Sequence, residues 1–258
     1  MSDPLSTSIG GYRIDLIFQG FPGKATHHGG LGWSTVALLR GHDRIALIDT
    51  GPFGYRRELA RRLADRGVTP ADVTDVILSH GHHDHMANYP IFAKARITIG
   101  AHEMAWAPTV APGMTPVPEL YITALLRHPD LVLLKDGDTV LPNLTAHLAP
   151  GHTPGSLFFL LAGEDRDVIF TADAVKSRAE LVARQADMTL DAAESTATIE
   201  KIWSVWRRRS GSIIIPGHDS PLVLQGEEVT LVYPRLGGLA ANFGDTLDDI
   251  TTTDGCCC

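Results

Sequence analysis

The sequence predicts an α/β protein whose two β-rich halves pack as two sheets with helices on their outer faces. Three observations carry this. Apolar or alternating runs of strand length occur in both halves of the chain. Helical-period segments accompany each set of strands. Several strand-like runs end beside glycine or proline at a histidine or aspartate, which is where α/β sheets present their chemistry. The 258 residues suffice for one large domain, 1–233, followed by a weakly ordered C-terminal extension, 234–258, that is Gly-rich and then Thr- and Asp-rich.

Taken in order, Tyr12–Phe18 alternates and reads as the opening strand. Residues 18–33 are rich in glycine, contain Phe21, Pro22, His27 and His28, and read as a loop. Residues 35–39 and Arg44–Ile48 read as a hairpin about Gly41-His42-Asp43. Residues 55–66 form a charged helix with Leu59 and Leu63 on one face, and Thr69-Pro70 caps a short one. Val76, Ile77 and Leu78 make a short buried strand, 86–92 continues as a helix, and Arg96–Gly100 returns as a strand. Four prolines exclude a regular element over 107–118, which reads as a substrate-side lid. A helix over 119–127 precedes the second set of strands, at Leu131–Leu134, Leu144–Leu148, Leu157–Leu161, 168–170 and 213–215. The longest helix spans 190–206. Its stripe of Ile199, Ile202, Trp203 and Trp206 belongs in the core.

Composition narrows the function. The formal net charge of −8 argues against a nucleic-acid partner, and Arg207-Arg208-Arg209 reads as a solvated helix end. No apolar run has the length of a membrane span, and residues 1–11 lack a secretory pattern, so a cytoplasmic location is expected. Cys256, Cys257 and Cys258 are the only cysteines, so the body of the domain has no disulfide framework.

The chemistry centres on Ser79-His80-Gly81-His82-His83-Asp84-His85. His80 and His82 stand two apart in an extended turn, so their imidazoles can converge on one ion. Asp84 and His85 can turn towards a second. Imidazole and carboxylate without thiolate suit zinc, iron or manganese. Three later pieces each offer one more ligand at a strand end: Gly151-His152-Thr153-Pro154-Gly155, Thr171-Ala172-Asp173-Ala174 and Pro216-Gly217-His218-Asp219.

This pattern resembles the metallo-β-lactamase superfamily, whose signature is a His-x-His-x-Asp-His run followed by separate His, Asp and His ligands. Ile48-Asp49-Thr50-Gly51 is similar to the family's early motif, whose aspartate supports the site from behind. The resemblance runs from about residue 35 to 220 and implies a four-layer αββα sandwich. It implies that His80, His82 and His152 hold one metal, that Asp84, His85 and His218 hold the other, and that Asp173 bridges them. Two zinc ions are expected, with iron or manganese also compatible.

The resemblance implies a hydrolase in which a metal-bridging hydroxide attacks a carbonyl while Asp84 shuttles the proton. The favoured substrate is a small ester or lactone, as in acyl-homoserine lactonases. The alternatives are a glyoxalase II-like thioesterase, a mononuclear-iron persulfide dioxygenase and a noncatalytic metal-binding protein of the same fold. Lys176, three past Asp173, fits the thioesterase type as a binder of a substrate carboxylate, or else is a surface lysine at a helix start. Val175 and Lys176 stand where the lactonase type places a tyrosine. Phe21 and Trp33 either wall the substrate pocket or pack internally. His83 and His147 fall outside both ligand sets, and Ser79 reads as a turn residue.

Overall fold

The computed structural model describes residues 6–25, 27, 29–235 and 237–254. Two seven-stranded sheets divide the chain in sequence. The first contains, in spatial order, Ser6–Ile9, Tyr12–Phe18, Val36–Gly41, Arg44–Ile48, Asp75–Ile77, Arg96–Gly100 and Leu131–Leu134. The second contains Thr139–Leu141, Leu144–Leu148, Leu157–Leu161, Val168–Ala172, Ile213–Pro216, Leu222–Gln225 and Glu228–Leu231. Sequence neighbours are spatial neighbours, so the antiparallel pairs need only short connections. The parallel pairs need crossovers, which is where most of the helices lie.

Side-chain alternation decides which face of each strand meets what. In the first sheet Val36, Leu38, Leu47 and Val76 face a cluster with Leu59 and Leu63 of α1 (Arg56–Ala64) and Met86 of α2 (His83–Met86). Met104 of α3 (Ala101–Trp106) and Ile122 and Leu125 of α4 (Glu119–Leu125) join the same cluster. The intervening residues Ala37, Leu39, Ala46 and Ile48 face Phe159, Leu161, Phe170 and Ile215 of the second sheet. The outer face of the second sheet presents Phe158, Ile169 and Ile214 to Leu181 of α5 (Arg178–Ala183) and to α6 (Ala192–Trp206). The expected stripe of Ile199, Ile202, Trp203 and Trp206 lies in that cluster. The architecture is therefore helix, sheet, sheet, helix, and each sheet is buried on both sides.

Several elements differ from the sequence reading. The expected helix over 86–92 is instead α2, which starts inside the ligand run, followed by a separate 3-10 turn at Tyr89–Ile91. Pro90 removes a donor there, and the Asn88 side chain is committed to the carbonyls of Thr50, Gly51 and Pro52. α3 and α5 are too short for a periodic signal, and the hairpin of Leu222–Gln225 and Glu228–Leu231 is only half apolar. α6 begins at Ala192 because the Asp191 carboxylate caps the amides of Ala193 and Glu194. Beyond the second sheet, Gly238–Asn242 pairs with Ile250–Asp254. His28 and Cys256–258 lie outside the described residues.

Candidate metal centre

Asp49, the His80 run, His152, Asp173 and His218 all follow strands, and these strand ends meet along one edge of the sandwich. Asp49 adopts φ 56° at the end of its strand and turns its carboxylate under the ligand run. It accepts the Ser79 amide and hydroxyl, each at 2.8 Å, and His85 Nδ1 at 2.8 Å. The Ser79 oxygen also lies 3.0 Å from His80 Nδ1. Ser79 is thus more than a turn residue. It links Asp49 to the first ligand. His82 is extended at the N-cap of α2, so Asp84 and His85 stand on the helical turn that follows, and the His85 ring comes within 4.2 Å of the His80 ring.

The second sheet supplies the rest. His152 Nδ1 donates to the Met188 carbonyl at 3.1 Å, which leaves Nε2 facing inward, 2.9 Å from His82 Nδ1. The His218 amide donates to the Lys176 carbonyl at 2.8 Å. Gly217 is required beside it, because a Cβ there would lie 2.4 Å from Asp173 Oδ1. All seven residues expected as ligands come together. Three trios have ligand atoms within 4.8 Å of one another: His80, His82 and His152; His80, His85 and Asp173; Asp84, His85 and His218. The two oxygens of Asp173 divide between them. Oδ2 is 3.2 Å from His152 Nε2, and Oδ1 is 3.1 Å from Nε2 of both His85 and His218.

The residues present fit metal ions on the structure's own terms. His80 Nε2 and His82 Nε2 are buried with no hydrogen-bond partner, and His85 Nε2 meets only the Asp84 and Asp173 carboxylates. Orphaned buried polar atoms are costly, and imidazoles gathered around two buried carboxylates suit cations. The His and Asp clusters suit a dinuclear metal.

The two halves differ in charge state. Burial holds His80 well below the usual histidine range, His82 at about 3 and His152 at about 4, with neighbouring histidines adding to the effect at His80 and His82. Burial also acts on His85 and His218, but Asp173 and Asp84 outweigh it, raising His85 and pushing His218 up to about 9. In turn, burial pushes Asp84 and Asp173 up, and the facing histidines more than reverse this, so both carboxylates stay well below their ordinary range.

Around the centre, Phe21 and Trp33 stack on each other at 4.6 Å across a bridge between their backbones, and Trp33 Nε1 donates to the Gln19 carbonyl. Their loop abuts the site, because Ser34 Oγ donates to the Asp84 carbonyl at 2.5 Å and the Thr35 amide to the Gly217 carbonyl at 2.7 Å. Lys24 at its tip pairs with Asp187. Lys176 is 15% exposed and 3.1 Å from Glu180 Oε1, so it is not an open surface lysine. His83 is half exposed and outside the trios. His147 stacks on Phe158 at 4.8 Å, away from the ligands. Glu103 was not legible as part of the site. It is fully buried in α3, pushed up to about 7 by burial, and hydrogen-bonded to both ligand loops. No sequence signal marks it, since its partners lie 22 and 50 residues away.

The chain is similar to Metallo-beta-lactamase domain-containing protein 1 of Xenopus laevis, at 27% identity over 208 residues covering 72% of this chain and 71% of that one. It is 28% identical to the Mus musculus protein of the same name over 210 residues, covering 77% and 68%. Among solved structures, a dizinc quorum-quenching lactonase in complex with a homoserine product superposes with TM-score 0.70 at 16% identity, covering 88% of this chain and 96% of that one. An N-acyl homoserine lactone hydrolase with N-hexanoyl-L-homoserine at its catalytic metal centre gives TM-score 0.65 at 18% identity, covering 83% and 94%. These two likenesses are of fold. Residues 29–218 match the model of the metallo-beta-lactamase superfamily, and the chain belongs to that superfamily of metal-dependent hydrolases.

Proposed function

We propose that this protein is a dinuclear metal hydrolase, with zinc as its ion, that opens a small ester or lactone. The observation that carries this reading is the division of the Asp173 carboxylate between the two ligand trios. Two bound divalent ions would supply Lewis acidity at the carbonyl oxygen and a water acidic enough to attack near neutral pH. His80, His82 and His152 would hold one ion, and Asp84, His85 and His218 the other. The chain's own contribution to proton transfer is Asp84. Its side chain is 18% exposed, the most open carboxylate of the centre, with Oδ2 towards His85 and His218 and Oδ1 towards solvent-facing His83. One oxygen can hold its place while the other carries a proton to the leaving oxygen. Phe21 and Trp33 form one wall of the substrate mouth, and Lys176 offers positive charge beside His152 for a polar end of the substrate. The lactone preference is supported by the solved lactonases of this fold, which hold acyl-homoserine products.

The test is metal analysis beside a panel of lactones, esters, thioesters and phosphodiesters. Two equivalents of metal and turnover of lactone or ester are expected. Asp84→Asn should fold normally and lose about 10²-fold or more in kcat. Full activity in Asp84→Asn would remove its proton-transfer role. One iron per chain with oxygen consumption on a persulfide would replace the hydrolase reading.

A further inference from the structure

Glu103 has no place in the chemistry above, yet it sits between the two loops that carry the first trio. Its carboxylate is fully buried. Oε1 accepts the amide of Gly81, the residue between His80 and His82, at 2.8 Å. Oε2 accepts the hydroxyl of Thr153, the residue after His152, at 2.6 Å, and the Gly155 amide at 3.2 Å. One loop belongs to the first sheet and the other to the second. The packing around the carboxylate is tight. A Cβ on Gly155 would lie 1.9 Å from the Glu103 amide nitrogen, and one on Gly100 would lie 2.6 Å from the Gly155 carbonyl oxygen. No cationic side chain pairs with Glu103 among the described residues, so its burial is balanced only by neutral donors. Such a group is expensive to keep, and a nonpolar side chain would fill the space more cheaply. The second trio is held by other means: His85 by Asp49, His218 by the Lys176 carbonyl, and Asp84 by Ser34.

We propose that Glu103 is the positioning residue of the His80–His82–His152 trio, clamping Gly81 to Thr153 and so setting the spacing of His82 and His152 for metal. This rests on the metal-binding reading of the site. The metal-free protein is titrated with Zn²⁺ against a chromophoric chelator, in wild type, Glu103→Gln and Thr153→Val. Glu103→Gln keeps the shape but places an amide NH₂ against either an N–H or a hydroxyl. It should weaken one of the two equivalents by about 10–100-fold, the usual cost of losing a residue that orients a ligand, and leave the other within about twofold. Thr153→Val should weaken the same equivalent less, and carries the test if Glu103→Gln does not fold. In a His152→Ala background, Glu103→Gln should leave the remaining equivalent unchanged. Equal weakening of both equivalents would mean a general structural role, and no change in either would mean none. Both results overturn the proposal. If wild type binds one equivalent, the two-metal reading fails, and the proposal stands only if Glu103→Gln weakens that one.

Discussion

The two ligand trios lie side by side, share Asp173, and are prepared for metal in opposite ways. His80, His82 and His152 are buried with little anionic charge of their own, so burial keeps them neutral and their lone pairs free. His85 and His218 face Asp84 and Asp173, so in the metal-free protein they hold protons that neutralise the carboxylates. The first trio waits as three bare acceptors, whereas the second is an ion network in which protons stand where a cation would go. Burial of a lone imidazole and burial beside a carboxylate thus give opposite charge states a few ångströms apart.

Removing the group the trios share should have the largest effect. Asp173→Asn should weaken both Zn²⁺ equivalents by more than the roughly 10–100-fold that a residue merely holding a ligand costs. Chelator competition reads this directly. Loss of only one equivalent would show that Asp173 serves one trio, and the comparison would reduce to two independent sites.

The next effect is pH dependence. At pH 7 the second trio must release protons before it can bind metal, because His218 titrates at about 9. Its affinity should fall by up to about tenfold per displaced proton for each unit that pH drops below that value. The first trio, with His152 at about 4 and His82 at about 3, should bind with little pH dependence until pH approaches 4. The sign reverses for stability without metal. A histidine raised from 6.5 to about 9 contributes stability that is complete below 6.5 and lost as pH rises through about 9. The metal-free protein should therefore lose thermal stability from about pH 7 to 10, and calorimetry with proton-release measurements checks both halves of the prediction. Equal proton release by the two equivalents would sink the comparison.

The smallest effect lies at the rim. Trp33→Ala should lower kcat/KM for the best substrate by about tenfold, since one lost aromatic contact is worth on the order of 1–3 kcal/mol. Both metal equivalents should be unchanged, because Trp33 belongs to none of the trios and its ring is held by Phe21 and the Gln19 carbonyl. A change in metal content would move Trp33 from the mouth to the support of the second trio, whose Asp84 carbonyl is held by the adjacent Ser34.

The candidate ligands are readable in the chain because each obeys a local rule. A β-rich run must end, and the polar residue just beyond it is displayed at the sheet edge. The same rule picks out Asp49, the His80 run, His152, Asp173 and His218, and the continuous apolar runs within Val36–Gly41 and Arg44–Ile48 fit a sheet buried on both faces. Short elements escaped the rule. α3 and α5 have six residues each, too few for a period to emerge, and α2 is a single turn that starts where the chain leaves extended His82.

By itself, then, the sequence offered the candidate ligands in order, through residue type and a family resemblance, and the two-sheet frame, through local periodicity. Tertiary structure alone decided how the ligands are held and charged. Asp49 reaches His85 across 36 residues, Met188 fixes the His152 ring across the same distance, and Glu103 joins loops from different sheets. A histidine in a motif has no charge state until its burial and its neighbours are known, and desolvation and facing carboxylates exist only once the two sheets have closed over the site.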